Sequence, residues 1–378
     1  MSELAQARAH VSEASTGLLP AQQIQALINS GEITAEMPLA PEQIQPASLD
    51  LRLGPRAYRV RASFLPGPGV TVAEKIARLS THEVDLSSGA VLERDCVYLV
   101  PLLERVRLSE RIAGVANPKS SIGRIDLFTR LVTDGAAEFD RIRPGYAGPL
   151  YVELSPRAFS VLVRQGSRLN QLRFSRGDPR ITASELRRLH AETPLVDRAL
   201  PAGNWEGIPL SVDLSGDKAT RFIGYKARKH TGLIDVDVRA AYDPGDFWEP
   251  IEARGNAGII LNPGDFYILA SKEAVTVPPT YAAELAAYDP LFGEFRVHYA
   301  GFFDPGFGHA EAGGSGTRAV LEVRSHNVPF LIEDGQMVGR LVYERLAGRP
   351  DRLYGARIGS SYQRQGLQLS RHFKPFGA

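Results

Sequence analysis

A carboxylate in an apolar run and a basic turn bearing two hydroxyls are the parts of this 378-residue chain best suited to chemistry. Glu153 lies in LYVEL, where strand alternation puts Tyr151 and Glu153 on one face and turns the carboxylate toward an interior or interface surface. Partial burial raises a carboxyl pKa toward neutrality, which suits a group that must both accept and donate a proton. A surface glutamate on a half-exposed strand is the alternative. In KSSIGR, Lys119 and Arg124 flank Ser120, Ser121 and Gly123. Such a turn can surround phosphate oxygens with charge-assisted bonds while Ser120 holds or polarises a water. A solvated basic loop would carry the same residues.

The elements that must hold these residues are mostly short strands. Glycines (36) and prolines (26) punctuate β-branched runs such as Val97-Tyr98-Leu99-Val100 and Gly258-Ile259-Ile260-Leu261. One helix is expected near the start, with Pro20 in its first turn, an apolar stripe of Ile24, Leu27 and Ile28, and Gly31 at its end. The chain also repeats itself. At an offset of 169, Glu153 falls on Glu322, Gly166 on Gly335, Phe174 on Tyr343 and Tyr98 on Tyr267. Earlier, PASLDLRLG around Asp50 echoes PLSVDLSGD around Asp213 at an offset of 163. The reading is a tandem duplication: a first, catalytic domain over 1–180, a polar, partly helical linker over 181–205, and a second domain over 206–378.

Composition narrows the function classes. Hydrophobic residues at 43% and charged residues at 23% describe a globular chain with real cores. A formal net charge of +1 supplies no bulk field for nucleic acid or an anionic membrane, so any anion site must be local. KARKH (Lys226 to His230) is one dense basic run and reads as a solvated hairpin, while GHAEAGGSGTR (Gly308 to Arg318) reads as a flexible hairpin loop. The single Cys96 leaves no intrachain disulfide and no multi-cysteine zinc site. The amino terminus lacks a secretion-signal pattern and no apolar run is long enough to span a membrane, so a cytoplasmic location is expected.

QPASLDLRLG (Gln45 to Gly54), PKSSIGR (Pro118 to Arg124), RIRPGY (Arg141 to Tyr146), YVEL (Tyr151 to Leu154) and SSYQRQG (Ser360 to Gly366) occur in an order that resembles the dCTP deaminases, in their long two-domain form. The resemblance implies two dUTPase-like domains of distorted β-barrel or jelly-roll type with few short helices. It implies hydrolytic deamination of dCTP to dUTP and ammonia, without zinc, and with Mg2+ carried on the triphosphate. By resemblance Glu153, Ser120, Arg124 and Arg141 are catalytic, and Lys119, Ser120, Ser121, Arg124, Tyr151 and Val152 bind substrate. Tyr354, Tyr362 and Gln365 match residues of a tail that closes over nucleotide. Sites formed between domains imply a homo-oligomer, either trimeric or pseudo-trimeric.

Departures from the family pattern matter. Arg143 replaces an Asp of the RIDPG motif, and Ser361 stands at the tail lysine unless Arg364 replaces it. The second repeat keeps Asp304 and Glu322 but has Tyr288-Asp289-Pro290 in place of KSS and Gly293 in place of Arg124. It therefore reads as a structural partner that lends residues to the first. Two rival functions remain: dUTP diphosphatase, alone or joined to deamination, with Asp304 as its motif-matched carboxylate, and a deoxynucleotide-binding regulator without turnover.

Overall fold

The computed structural model describes residues 15–200, 203, 205–216, 220–253, 255, 258–287, 295–297, 301–325, 327–355, 360 and 362–376. It is mainly β. The expected helix forms over Ala21–Asn29, capped at Pro20, with Ile24 and Leu27 buried, and the chain leaves it through Gly31 at φ +77°. Among the described residues no helix is long and apolar enough to cross a membrane.

The duplication is written into the strand register. In the first repeat the Ala147–Pro156 strand pairs antiparallel with Val97–Arg107, setting Glu153 opposite Leu99. In the second, Thr317–Ser325 pairs with Phe266–Val275, setting Glu322 opposite Ile268. Both positions are displaced by the same 169 residues. Even a local bond repeats: the Tyr98 hydroxyl accepts from the Glu93 amide, as the Tyr267 hydroxyl accepts from the Asn262 amide. One alignment is corrected. Leu49 stands opposite Leu172 and Ile208 opposite Leu341, so the opening strands match at an offset of 159, not 163, and Asp50 corresponds to Pro209.

The partly helical stretch read as a linker forms a helix. A capping box between Thr182 and Glu185 starts the Ala183–Glu192 helix, and its Leu186 and Leu189 enter the core of the second repeat. This helix thus belongs to the packed second repeat, because its apolar stripe has a core to cover. Lys226 and Lys229 of the basic run are neither free nor merely solvated; both pair with the buried Asp265, at 2.9 and 3.4 Å. The Gly308–Arg318 stretch folds into a compact turn with a short 3-10 helix over Ala310–Ala312.

The repeats also exchange segments. From the second repeat, Ile234–Asp235 adds a parallel strand beside Val161–Val163 of the first. Behind it Phe247 and Trp248 pack edge-on against Phe159, at 5.7 and 5.3 Å between ring centroids. The carboxy-terminal segment then returns, and Leu369 and Phe373 join the first repeat's core. Three sheets per repeat, the smallest of the first repeat carrying the exchanged strand, and these crossing pieces leave a cleft between the repeats.

Candidate active site

The basic turn forms one wall of that cleft. The Ile112–Pro118 strand ends at a proline, and a single helical turn follows over Ser120–Gly123, closed by Ile122 and Gly123 amides donating to the Lys119 carbonyl. Ser121 and Arg124 are buried, Lys119 and Ser120 half-buried. Lys119 pairs with the buried carboxylate of Asp50. The Arg124 guanidinium donates to Gln365 Oε1 at 2.8 Å and to the Gln368 carbonyl at 3.1 Å, and it lies 3.8 Å from the centre of the Tyr362 ring. Its Nε is buried with no hydrogen-bond partner.

The opposite wall comes from the second repeat. Glu322, on the Thr317–Ser325 strand, points its Oε1 to within 4.0 Å of Arg124 Nε. Burial pushes its carboxyl up to about 7, against the opposing pull of Arg124. Asp304 is buried at 3.3 Å from Arg173, and burial raises its pKa as well. A cavity of about 530 Å3 joins Lys119, Ser120, Ser121 and Arg124 to Asp304, Glu322, Tyr354, Tyr362 and Gln365. A gap of 4.0 Å between a neutralisable carboxylate and an unpartnered guanidinium N–H is wide enough for a bridging water or a polar substrate atom.

Several expected residues are not brought there. Glu153 is buried away from the cleft and accepts from Arg130 Nε at 3.1 Å, while its second oxygen has no partner. Tyr151 packs with Val60, Val72 and Leu99, and Val152 lies in the main core of the first repeat. Arg141 is exposed, pairs with Glu138 at 3.2 Å and borders a separate cavity. Tyr151, Val152 and Glu153 lie on the Ala147–Pro156 strand and Arg141 on a strand of another sheet, and none of the four lines the cleft beside the first repeat's own basic turn. The cleft instead receives the duplicated equivalents, Glu322 for Glu153 and Phe302 for Arg141. Arg364 does not reach the cleft, since its Nε donates to the Gly313 carbonyl. Residues 288–290, 293 and 361 lie outside the described residues. Asp50, singled out in the sequence only as the centre of a repeated motif, is given no role there, and no spacing points to Arg173. Glu322 had a signal, because a repeat that keeps the glutamate but lacks KSS can use it only by lending it.

Fold and cleft together define a duplicated β enzyme of nucleotide metabolism. The description "2'-deoxycytidine 5'-triphosphate deaminase (DCD) N-terminal domain" matches residues 15–178, and the corresponding C-terminal domain description matches residues 182–373. This chain belongs to the dCTP deaminase family. It is similar to a solved structure, the 2'-deoxycytidine 5'-triphosphate deaminase from Agrobacterium tumefaciens, at 57% identity and a TM-score of 0.84, over 88% of this chain and 99% of that one. Among curated relatives, the "dCTP deaminase, dUMP-forming" of Parafrankia sp. (strain EAN1pec) is 31% identical over 174 residues, 44% of this chain and 79% of the relative. The protein of the same name from Nocardioides sp. is 30% identical over 173 residues, 44% of this chain and 83% of the relative.

Proposed function

We propose that the cleft between the repeats deaminates dCTP, with Glu322 and not Glu153 as the base. The carrying observation is the buried Glu322 carboxylate, 4.0 Å from an Arg124 Nε that has no other partner. Water held between Glu322 and Ser120 loses a proton to Glu322, and the hydroxide adds to C4 of the cytosine. Glu322 passes that proton to the exocyclic amine. The C4–N bond breaks with its electron pair leaving on nitrogen as ammonia, and the remaining hydroxyl proton moves to N3 to give the uracil ring. Arg124, fixed by Gln365 and the Tyr362 ring, steadies the carboxylate in its charged form.

The end product we favour is dUMP, not the dUTP first expected. Two observations support this: the relatives' names specify dUMP formation, and Asp304 lines the same cleft as Lys119 and Ser120. The arginine at position 143 is then no obstacle, since the motif's carboxylate arrives from the second repeat. In this second step a water attacks the α-phosphorus and pyrophosphate leaves. A magnesium ion carried on the substrate's triphosphate would shield charge on the phosphates, and Asp50, with one buried carboxylate oxygen lacking a partner, would hold one of the waters such an ion carries.

Incubation with dCTP and magnesium, followed by chromatography, tests both steps. Ammonia with dUMP and pyrophosphate is the expected outcome. Accumulation of dUTP alone would remove the second step and leave the first. Unchanged dCTP would overturn the deaminase reading.

A further inference from the structure

The cleft carries more positive charge than its own carboxylates use. Lys119 is paired with Asp50, Arg124 faces Glu322, and Asp304 is held by Arg173. Asp237, on the rim, is bonded to Arg164 and to the Ser167 hydroxyl. Three further arginines border the same cavity: Arg168, Arg239 and Arg371. None of the three has a carboxylate partner among the described residues. The exposed Glu42 is the remaining carboxylate of the lining without such a pairing.

Their delivery depends on the exchanged segments. Arg239 follows the parallel strand that the second repeat lays on the first, and Arg371 sits in the returning tail. The two stretches run together, with the Ala240 amide donating to the Arg371 carbonyl at 2.9 Å. Arg168 comes from the Arg168–Arg176 strand of the first repeat. Arg371 is the most constrained. Its Nε is buried with no hydrogen-bond partner, and burial and then the neighbouring Arg239 depress its pKa. Two adjacent guanidinium groups, one of them desolvated and unsatisfied, are unfavourable unless an anion joins them.

We propose that Arg168, Arg239 and Arg371 bind the terminal phosphates of the nucleotide and make the cleft select triphosphates over mono- and diphosphates. This rests on the deaminase reading for the identity of the nucleotide, but not for the anion site itself. The arginine fork matches a phosphate edge better than a lysine, and a β,γ-diphosphate offers enough oxygens for two such forks. The contact expected of the tail lysine, whose place is taken by Ser361, is thereby supplied from two other segments.

Binding of inorganic tripolyphosphate, dCTP, dCDP and dCMP to the parent, R239Q, R371Q, R371K and R239Q/R371Q, followed by calorimetry, tests the proposal alongside dCTP turnover. Each Gln variant should weaken dCTP and tripolyphosphate by about tenfold, and dCMP by less than about threefold, with R371K recovering part of the loss. In turnover KM should rise far more than kcat falls. Arg239 is exposed, so R239Q folds even if Arg371 variants do not. Parent-like affinity for tripolyphosphate and dCTP in R239Q and in a folded R371Q overturns the proposal while leaving the deaminase reading intact. Arginine-dependent binding of tripolyphosphate by a protein that leaves dCTP unchanged overturns the deaminase reading and keeps the site.

Discussion

Arg124 Nε, from the first repeat, lies 4.0 Å from Glu322 Oε1, from the second. Each is buried, and Arg124 is pinned on its other edges by Gln365 and Gln368 of the tail. The equivalent glutamate of the first repeat, Glu153, meets Arg130 of its own sheet instead.

This asymmetry separates two otherwise matched substitutions. Glu322→Gln should lower dCTP deamination by about a hundredfold or more, the range set by loss of a general base. Glu153→Gln should leave kcat within about threefold and lower the melting temperature by a few degrees, since it weakens a charged hydrogen bond. Steady-state kinetics on both variants decide; the opposite ranking would return the base to the first repeat.

The pH dependence carries a sign. With Glu322 pushed up to about 7, the basic form accumulates as pH rises, so kcat/KM should climb to about pH 7 and then level. Stability runs the other way. Between 4.5 and about 7 the folded chain keeps a proton that the unfolded chain has released, so the Glu322 contribution falls as pH rises. The melting temperature of Glu322→Gln should therefore gain on the parent across that window, and parallel curves would place the titration elsewhere.

His372 gives a slope of the opposite sense. It is fully buried, with Nδ1 2.8 Å from Ser370 Oγ, and Ser370 donates to the Ser121 carbonyl at 2.7 Å. Burial depresses its pKa to about 4. Below 6.5 the unfolded ring takes up a proton that the folded one refuses, so stability falls as pH drops from 6.5 toward about 4. Thermal melts of His372→Gln should show a shallower loss than the parent over this range; equal slopes would mean that the tail anchor is open in solution.

Gln365→Leu removes the acceptor that holds Arg124 and leaves a buried guanidinium N–H unpaired. The cost is about 1–3 kcal/mol locally. Turnover should fall by about tenfold, with far-ultraviolet circular dichroism unchanged, because the tail keeps Leu369 and Phe373 in the core. Parent-like kinetics would show that Gln365 does not fix Arg124.

Trp248, wholly buried, belongs to the second repeat yet packs on Phe159 of the first. Trp248→Ala should cost about 3–5 kcal/mol. Because the segment is shared, the parent should unfold in one calorimetric transition. Two resolved transitions, only one of them shifted by the substitution, would show that the repeats are independent.

Much of the local structure was legible. Period-2 runs broken by Gly and Pro announced the strands, and Pro20 with Ile24 and Leu27 announced the helix. The repeat at Glu153 and Glu322 survives in the pairing register, because side-chain alternation ties register to burial. The Asp50 match was less secure, since Asp213 sits in a similar apolar frame four residues from the structural equivalent, and only strand pairing distinguishes the two. The partly helical pattern of 181–205 carries the Ala183–Glu192 helix, but its polar look hides Leu186 and Leu189 until their core exists.

From the sequence alone came the duplicated β architecture, the family and the basic turn that builds one wall of the cleft. Local physics suffices for these, because they depend on residues near in sequence. Which glutamate faces Arg124 was settled only by tertiary structure. Glu153 and Glu322 occupy matching strand positions, so the strand pattern around each does not tell them apart. The packing of the second repeat against the first, with its exchanged strand and returning tail, brings Glu322 to Arg124 and leaves Glu153 to Arg130.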